Sequence, residues 1–127
     1  MTALLDLLLH TDPTPAVTTI EEWTWHHNAS GDDPLTVAVL GGFRADRLGF
    51  AFASGYQAAC RRLLPDAPDG WLLALCATES GGNHPRSIHT SLRDGRLTGE
   101  KRFVSMGTMA RGLLVVASRG PGSDGRN

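Results

Sequence analysis

The first indication of possible chemistry in this sequence is an aromatic ring two residues away from a hydroxyl group. Phe103 and Ser105 lie in the segment GRLTGEKRFVSMG, which follows Asp94. An aromatic face can pack on a planar ligand, and a hydroxyl can donate a hydrogen bond to a heteroatom of that ligand. The spacing leaves a second interpretation open, in which Phe103 belongs to a core and Ser105 is a polar residue at a strand end.

A polar turn, TESGGN, covers residues 78–83 and follows an apolar run. Its glycines and hydroxyls leave backbone N–H groups, those of Gly81 and Asn83 included, able to bind a phosphate or a ring carbonyl. The turn fits neither a Walker loop nor the GxGxxG pattern. A tight polar turn without a ligand is the alternative that remains open.

Other chemistries have no support in the spacing of the residues. His26 and His27 are adjacent, and adjacent side chains on a helix do not converge on one ion, so we expect no metal site. Ser80 lacks the GxSxG elbow of serine hydrolases. The sequence identifies no catalytic residue.

Charge and cysteine content limit the class of partner and the compartment. Twelve basic and thirteen acidic residues give a net charge of -1 with histidine neutral, which favours neither nucleic acid nor an anionic membrane. Cys60 and Cys76 belong to no CxxC or Cys/His pattern, and we interpret both as reduced thiols in a core. The apolar run ALLDLLLH carries Asp6 and has no basic leader, so we expect no signal peptide or membrane span. A cytoplasmic protein is the resulting expectation.

The elements that must position these residues are helices first and strands second. A short helix is predicted over residues 3–10, and one or two helical turns with Trp23 facing inward over IEEWTWHHN. The run LTVAVLGG is apolar but of undetermined type. A long helix is predicted over residues 46–64, closed by Pro65.

The second half of the chain carries strand signals. Residues 71–77 form a continuous apolar run, SIHTSLR alternates in polarity, and GLLVVAS is a further apolar run. The pair Asp94-Gly95 predicts a two-residue hairpin turn, which sets Leu92 opposite Leu97 and Thr90 opposite Gly99.

Alternation along the returning strand then places Phe103 and Ser105 on one side of it. The predicted fold class is α+β, with N-terminal helices followed by an antiparallel β-sheet over residues 71–118. The expected organisation is a helical segment at 1–66, a partial β-domain at 67–119 and a flexible tail at 120–127.

The segments LCATESGGNHP and LTGEKRFVSMGTMARGLLVVAS, with the hairpin between them, resemble the start of the middle β-domain of acyl-CoA dehydrogenases. The resemblance covers residues 72–118, and residues 46–65 resemble the last helix of that family's N-terminal helical domain. The sequence departs from the family pattern at Ser80, at Asn83-His84 and at Arg111. The residues that match the family motif are Thr78, Glu79, Leu97, Gly99, Lys101, Phe103, Val104, Ser105 and Gly107.

The resemblance implies an FAD-dependent enzyme that oxidises an acyl-CoA thioester between its α and β carbons. It implies that Thr78 and Ser105 hydrogen-bond the flavin and that Phe103 packs on its ring system. The family forms homo-oligomers, so the expected partners are acyl-CoA and a second copy of the chain.

The resemblance also implies an incomplete fold, because the chain ends about halfway through the family's β-domain. The family's catalytic glutamate belongs to its C-terminal helical domain, so a companion chain or a further copy is expected to complete the site. The alternative is a non-catalytic remnant of a flavin fold that acts as an interaction module.

Overall fold

The structure is a computed structural model and describes residues 2–10, 16–27, 33–82, 84 and 87–120. Four helices precede four strands in these residues, so the predicted α+β class is confirmed. The chain divides into two compact units, Met1–Leu72 and Leu73–Asn127. The expected boundary after residue 66 lies in the loop between the last helix and the first strand. The elements are α1 (Thr2–Leu9), α2 (Ile20–His27), α3 (Pro34–Arg44), α4 (Leu48–Leu63), β1 (Leu73–Cys76), β2 (Ser91–Arg93), β3 (Arg96–Thr98) and β4 (Gly112–Val115).

The helices agree with the predicted ones, and α4 is the longest of those described. This helix ends two residues before Pro65, because proline has no backbone N–H with which to continue the helical hydrogen bonds. The apolar run LTVAVLGG, whose secondary structure the sequence did not determine, belongs to α3. Asp33 caps α3, its carboxylate accepting a hydrogen bond from the backbone N–H of Thr36 at 3.1 Å, and Pro34 occupies the first turn.

The first unit has its core around Trp23, which is buried as predicted. The indole N–H donates to the hydroxyl of Ser54 at 2.8 Å, and the ring stacks on Phe50 with centroids 4.8 Å apart. The buried indole therefore has both an aromatic neighbour and an acceptor for its only donor. Gly41 of α3 packs against Ser54, where no Cβ would fit.

The strands of the second unit pair in a way that corrects the predicted antiparallel sheet. β1 and β4 are parallel, with Leu73 opposite Gly112 and Cys76 opposite Val115. Residues 77–111 connect them, and a connection of that length is what parallel pairing needs. Both strands are continuous apolar runs, which is typical of parallel strands and differs from the alternation of an exposed antiparallel sheet.

The hairpin of β2 and β3 is antiparallel and has the predicted register, with Leu92 opposite Leu97. Asp94 and Gly95 both have positive φ, 48° and 74°, as a two-residue turn of this kind demands. Gly99 lies so close to Thr90 that an added Cβ would be 2.6 Å from the Thr90 Cα.

The predicted extension of the returning strand through Ser105 is wrong. β3 ends at Thr98, and a series of turns covers residues 105–109. Phe103 has a φ of 54° and Met106 a φ of 61°. A left-handed residue reverses the local direction of the chain, so strand alternation stops before Phe103.

Both cysteines are buried and neither forms a disulfide bond, as predicted. Cys60 lies in α4 and Cys76 ends β1. Within the described part of the chain, no helix has the length and apolar character needed to cross a membrane.

Candidate functional site

The turn after β1 is closed by two backbone hydrogen bonds between Glu79 and Gly82. The Glu79 N–H donates to the Gly82 carbonyl at 3.0 Å, and the Gly82 N–H donates to the Glu79 carbonyl at 2.9 Å. Thr78 is half-buried at the start of this turn, and Gly81 is exposed at its tip. Asn83 lies outside the described residues.

The structure brings this turn beside the segment that carries the predicted ring. The backbone N–H of Arg102 donates to the Thr78 carbonyl at 2.8 Å. Phe103, the next residue, is 90% exposed, and Ser105 is also exposed. The backbones of Thr78 and Phe103 are therefore adjacent. Phe103 and Ser105 do not lie on a strand, so strand alternation does not place their side chains on the same side.

A buried ion pair that the sequence did not predict lies directly behind the turn. The Lys101 ammonium contacts one carboxylate oxygen of Glu79 at 2.7 Å, and the two side chains are only 8% and 5% exposed. The backbone N–H groups of His89 and Thr90 donate to the same carboxylate at 2.7 and 3.0 Å. Lys101 also donates to the Ala77 carbonyl at 3.2 Å.

These contacts keep the Glu79 carboxylate ionised. The ammonium of Lys101, followed by Thr90 and by the backbone N–H of His89, holds the pKa of Glu79 far below its usual range. A carboxylate of such low basicity is a poor proton acceptor, so Glu79 is unsuited to the role of general base. Its contacts instead tie the turn to residues 89–90 and to residue 101.

Burial also affects the thiol at the end of β1. It raises the pKa of Cys76 above its usual value, and the nearby charge of Lys101 only partly opposes this. A buried thiol with a raised pKa is an unreactive packing residue. Cys76 is thus not a candidate nucleophile.

The sequence contained one signal for the Glu79–Lys101 pair. Both residues lie in the segments that carry the family resemblance, Glu79 after Thr78 and Lys101 two residues before Phe103. Nothing in the spacing indicated that their side chains would meet. They are 22 residues apart, and the contact depends on how the hairpin returns to the turn.

Comparison with protein-family models, with curated proteins and with solved structures gives no match for this chain. Among the residues that the structure describes, no group of three or more His, Cys, Asp or Glu side chains is arranged to hold a metal ion. The arrangement offers an open aromatic face beside a rigidly held polar turn, and that combination suits binding of a planar molecule.

Proposed function

We propose that this chain is the flavin-binding part of an acyl-CoA dehydrogenase-like protein that uses FAD to oxidise an acyl-CoA thioester at its α and β carbons. In this proposal Phe103 packs on the flavin ring system, and Thr78 and Ser105 hydrogen-bond its polar edge. Gly81 and Asn83 contribute backbone N–H groups from the turn.

One observation carries this proposal: the ring of Phe103 is almost fully exposed next to the Thr78 turn. A bulky residue in the left-handed region is a backbone outlier, and such outliers concentrate at ligand sites. Exposing an aromatic ring also leaves its apolar area in water, which a planar ligand would cover. The fit to FAD rests on this ring and turn together with the resemblance of the sequence.

The cofactor and the chain's own residues would contribute to different parts of the reaction. Bound FAD would accept the hydride from the β carbon at its N5 atom. The turn and the segment around Phe103 would orient the ring, with Glu79 and Lys101 holding that turn in place. Removal of the α proton requires a base of higher pKa than Glu79, which we assign to a companion chain or to a further copy of this one.

The test is FAD binding by the purified chain, measured by quenching of flavin fluorescence. Phe103→Ala is expected to weaken binding about tenfold or more, because stacking on an aromatic side chain contributes ~1–3 kcal/mol per ring in comparable base-stacking sites. The unfolding temperature should not change, since the ring is exposed. Phe43→Ala, which removes an exposed ring of α3, is the matched control and should bind FAD as the wild type does.

Equal FAD affinity in the wild type and in Phe103→Ala would contradict the proposed site. Turnover is the second measurement, made with an acyl-CoA and an artificial electron acceptor. We expect no turnover by the isolated chain and turnover once a chain that supplies the base is added.

A second candidate, a non-catalytic interaction module, is favoured by the ion pair that occupies the Glu79 carboxylate. The carboxylate beside the turn is committed to Lys101 and two N–H groups, so the described site holds no available base. FAD binding without turnover in any combination of chains would support this candidate. We further propose a cytoplasmic setting, which is supported by two buried cysteines that form no disulfide bond.

A further inference from the structure

One edge of β4 is occupied by neighbouring strands. The Val116 N–H donates to the Cys76 carbonyl at 3.1 Å, which extends the pairing of β4 with β1. Further along, the Ser118 N–H donates to the Thr90 carbonyl at 2.8 Å, and the Leu92 N–H donates to the Ser118 carbonyl at 2.9 Å. The even-numbered residues of β4 and of the segment after it therefore direct their backbone groups to β1 and then to β2.

The opposite edge of β4 is open. Backbone groups alternate in direction along a strand, so the N–H and C=O groups of Leu113, Val115 and Ala117 point away from β1. β4 is the last strand of its two-stranded sheet on that side, and no described strand pairs with it there. A regular row of unpaired donors and acceptors matches the backbone of an extended peptide better than it matches a small molecule.

An apolar cavity lies beside this open edge. Its volume is about 470 Å³, and its lining includes Leu113 and Val115 of β4 together with Leu97 and Val104. Leu113 is 59% exposed, so the cavity is open to solvent next to β4. A strand added at this edge would place every second side chain on the cavity side, next to Leu113 and Val115. The cavity therefore favours aliphatic side chains at alternate positions of an added strand.

An arginine lies at each end of the open edge. Arg111 precedes β4 and Arg119 follows it, both are exposed, and neither forms a salt bridge with a described residue. If β4 paired in antiparallel fashion with a second copy of itself, centred on Val115, Arg111 of one copy would lie opposite Arg119 of the other. Like charges directly opposite each other are destabilising, so a second copy would bind this edge only weakly.

We propose that the open edge of β4 binds an extended peptide of another protein, with aliphatic side chains at alternate positions and a carboxylate facing each of Arg111 and Arg119. The backbone hydrogen bonds would supply affinity, whereas the cavity and the two arginines would supply specificity. This surface does not depend on the proposed flavin function, because Thr78, Phe103 and Ser105 do not belong to it.

The test uses the end-capped peptide Glu-Thr-Val-Thr-Leu-Thr-Val-Thr-Glu. It reads the same in both directions and therefore suits a parallel or an antiparallel addition, and its aliphatic side chains share one side with its carboxylates. Residue-resolved hydrogen exchange of the full chain is measured by NMR. At a peptide concentration about ten times the Kd, exchange of the N–H groups of Leu113, Val115 and Ala117 should slow about tenfold. The N–H of Val116 already has a partner and should not change.

Two altered peptides are the controls for charge and for backbone pairing. Replacing both glutamates with lysine should weaken binding about tenfold or more at low salt, and added salt should reduce this difference because the arginines are exposed. N-methylation of the central residues keeps the side chains but removes backbone donors, so this peptide should give no slowing of exchange.

Reversing the charges of the protein should reverse its preference. The double variant Arg111→Glu, Arg119→Glu is expected to bind the lysine peptide more tightly than the glutamate peptide. Both side chains are exposed, so the unfolding temperature should change little. Arg62→Glu is the matched control, because it reverses a charge at an exposed position of α4, and it should keep the preference of the wild type.

The proposal would be overturned if the wild type bound neither peptide, or bound the glutamate and lysine peptides equally. An unreversed preference in the double variant would also overturn it, as would binding that leaves exchange at Leu113 and Val115 unchanged. Slow exchange at these two residues before any peptide is added would show that a second copy fills the edge, which again contradicts the proposal.

Discussion

At the scale of single residues, Glu79 and Lys101 decide how the turn after β1 is held. Both charges are withdrawn from water, and both are met by further hydrogen bonds from the backbone. A buried pair of this kind adds little stability over apolar residues of the same size, but loss of one partner leaves an uncompensated charge. Two predictions follow from this asymmetry.

Lys101→Met should destabilise the protein more than the double variant Glu79→Gln, Lys101→Met. The single change leaves the Glu79 carboxylate buried without an ammonium, whereas the double change removes both charges. Urea unfolding at neutral pH measures the difference. Arg102→Met, which removes the exposed pair with Glu100, is the control and should change the free energy of unfolding by less than about 1 kcal/mol. Equal destabilisation by the single and double variants would show that the charge pair is not the cause.

The depressed pKa of Glu79 predicts a specific dependence of stability on pH. Unfolding returns this pKa to about 4.3, so the unfolded chain binds the proton more readily than the folded one. The stabilising contribution is thus complete above pH ~5 and is lost as the pH falls through the unfolded value toward the folded one. Unfolding temperatures between pH 6 and 2.5 should fall more steeply for the wild type than for the double variant. If unfolding temperature falls equally with pH in the wild type and in the double variant, this prediction is wrong.

At the scale of elements, α3 shows how packing overrides helix propensity. Gly41 and Gly42 are consecutive, yet Gly41 faces the side chain of Ser54 whereas Gly42 has no atom within 4 Å of an added Cβ. Ser54 in turn accepts the indole N–H of Trp23 and donates to the Phe50 carbonyl at 3.1 Å. A methyl group at Gly41 would therefore disturb the buried contacts of α2 and α4.

Alanine at the two positions should have effects of opposite sign. Gly42→Ala should stabilise the protein by about 0.5–1 kcal/mol, because alanine loses less backbone entropy in a helix. Gly41→Ala should destabilise it by about 1–3 kcal/mol through overpacking against Ser54. Chemical denaturation of both variants, followed by tryptophan fluorescence, measures the two changes. A stabilising Gly41→Ala would mean that the helices do not pack at Ser54.

At the scale of the whole molecule, the strand pairs leave apolar surface uncovered. β1 and β4 form a two-stranded parallel sheet among the described residues, and parallel sheets are normally covered on both faces. Leu113 of β4 is 59% exposed, and Val116 just after the strand is also exposed. An apolar strand with an open edge is a site for pairing with another chain.

We therefore expect the isolated chain to be marginally stable, to self-associate and to hold FAD weakly. In sedimentation velocity, the mean mass should rise with protein concentration. Leu113→Lys should reduce this rise, because it places a charge at the open edge. Leu48→Lys is the control, because it adds the same charge to an exposed position on α4. A monodisperse monomer that melts cooperatively above ~65 °C, the top of the usual mesophile range, would contradict this expectation.

The sequence by itself determined the local elements of this protein. Helical periodicity and Pro65 predicted α4, and the pair Asp94-Gly95 predicted the hairpin and its register, because both depend on conformational preferences within a few residues. The apolar runs likewise predicted that β1 and β4 would be strands. Phe103 was identified as a candidate from residue type and local spacing, whereas the proposed role of Thr78 is what the family resemblance implies.

Only the tertiary structure decided which strands pair and which charges are buried. The parallel pairing of β1 with β4 joins residues 73–76 to residues 112–115, and the Glu79–Lys101 contact joins residues 22 positions apart. The exposure of Phe103 also depends on a left-handed backbone that alternation did not predict. Such features reflect desolvation and pairing energies between distant segments, which local conformational preferences alone do not determine.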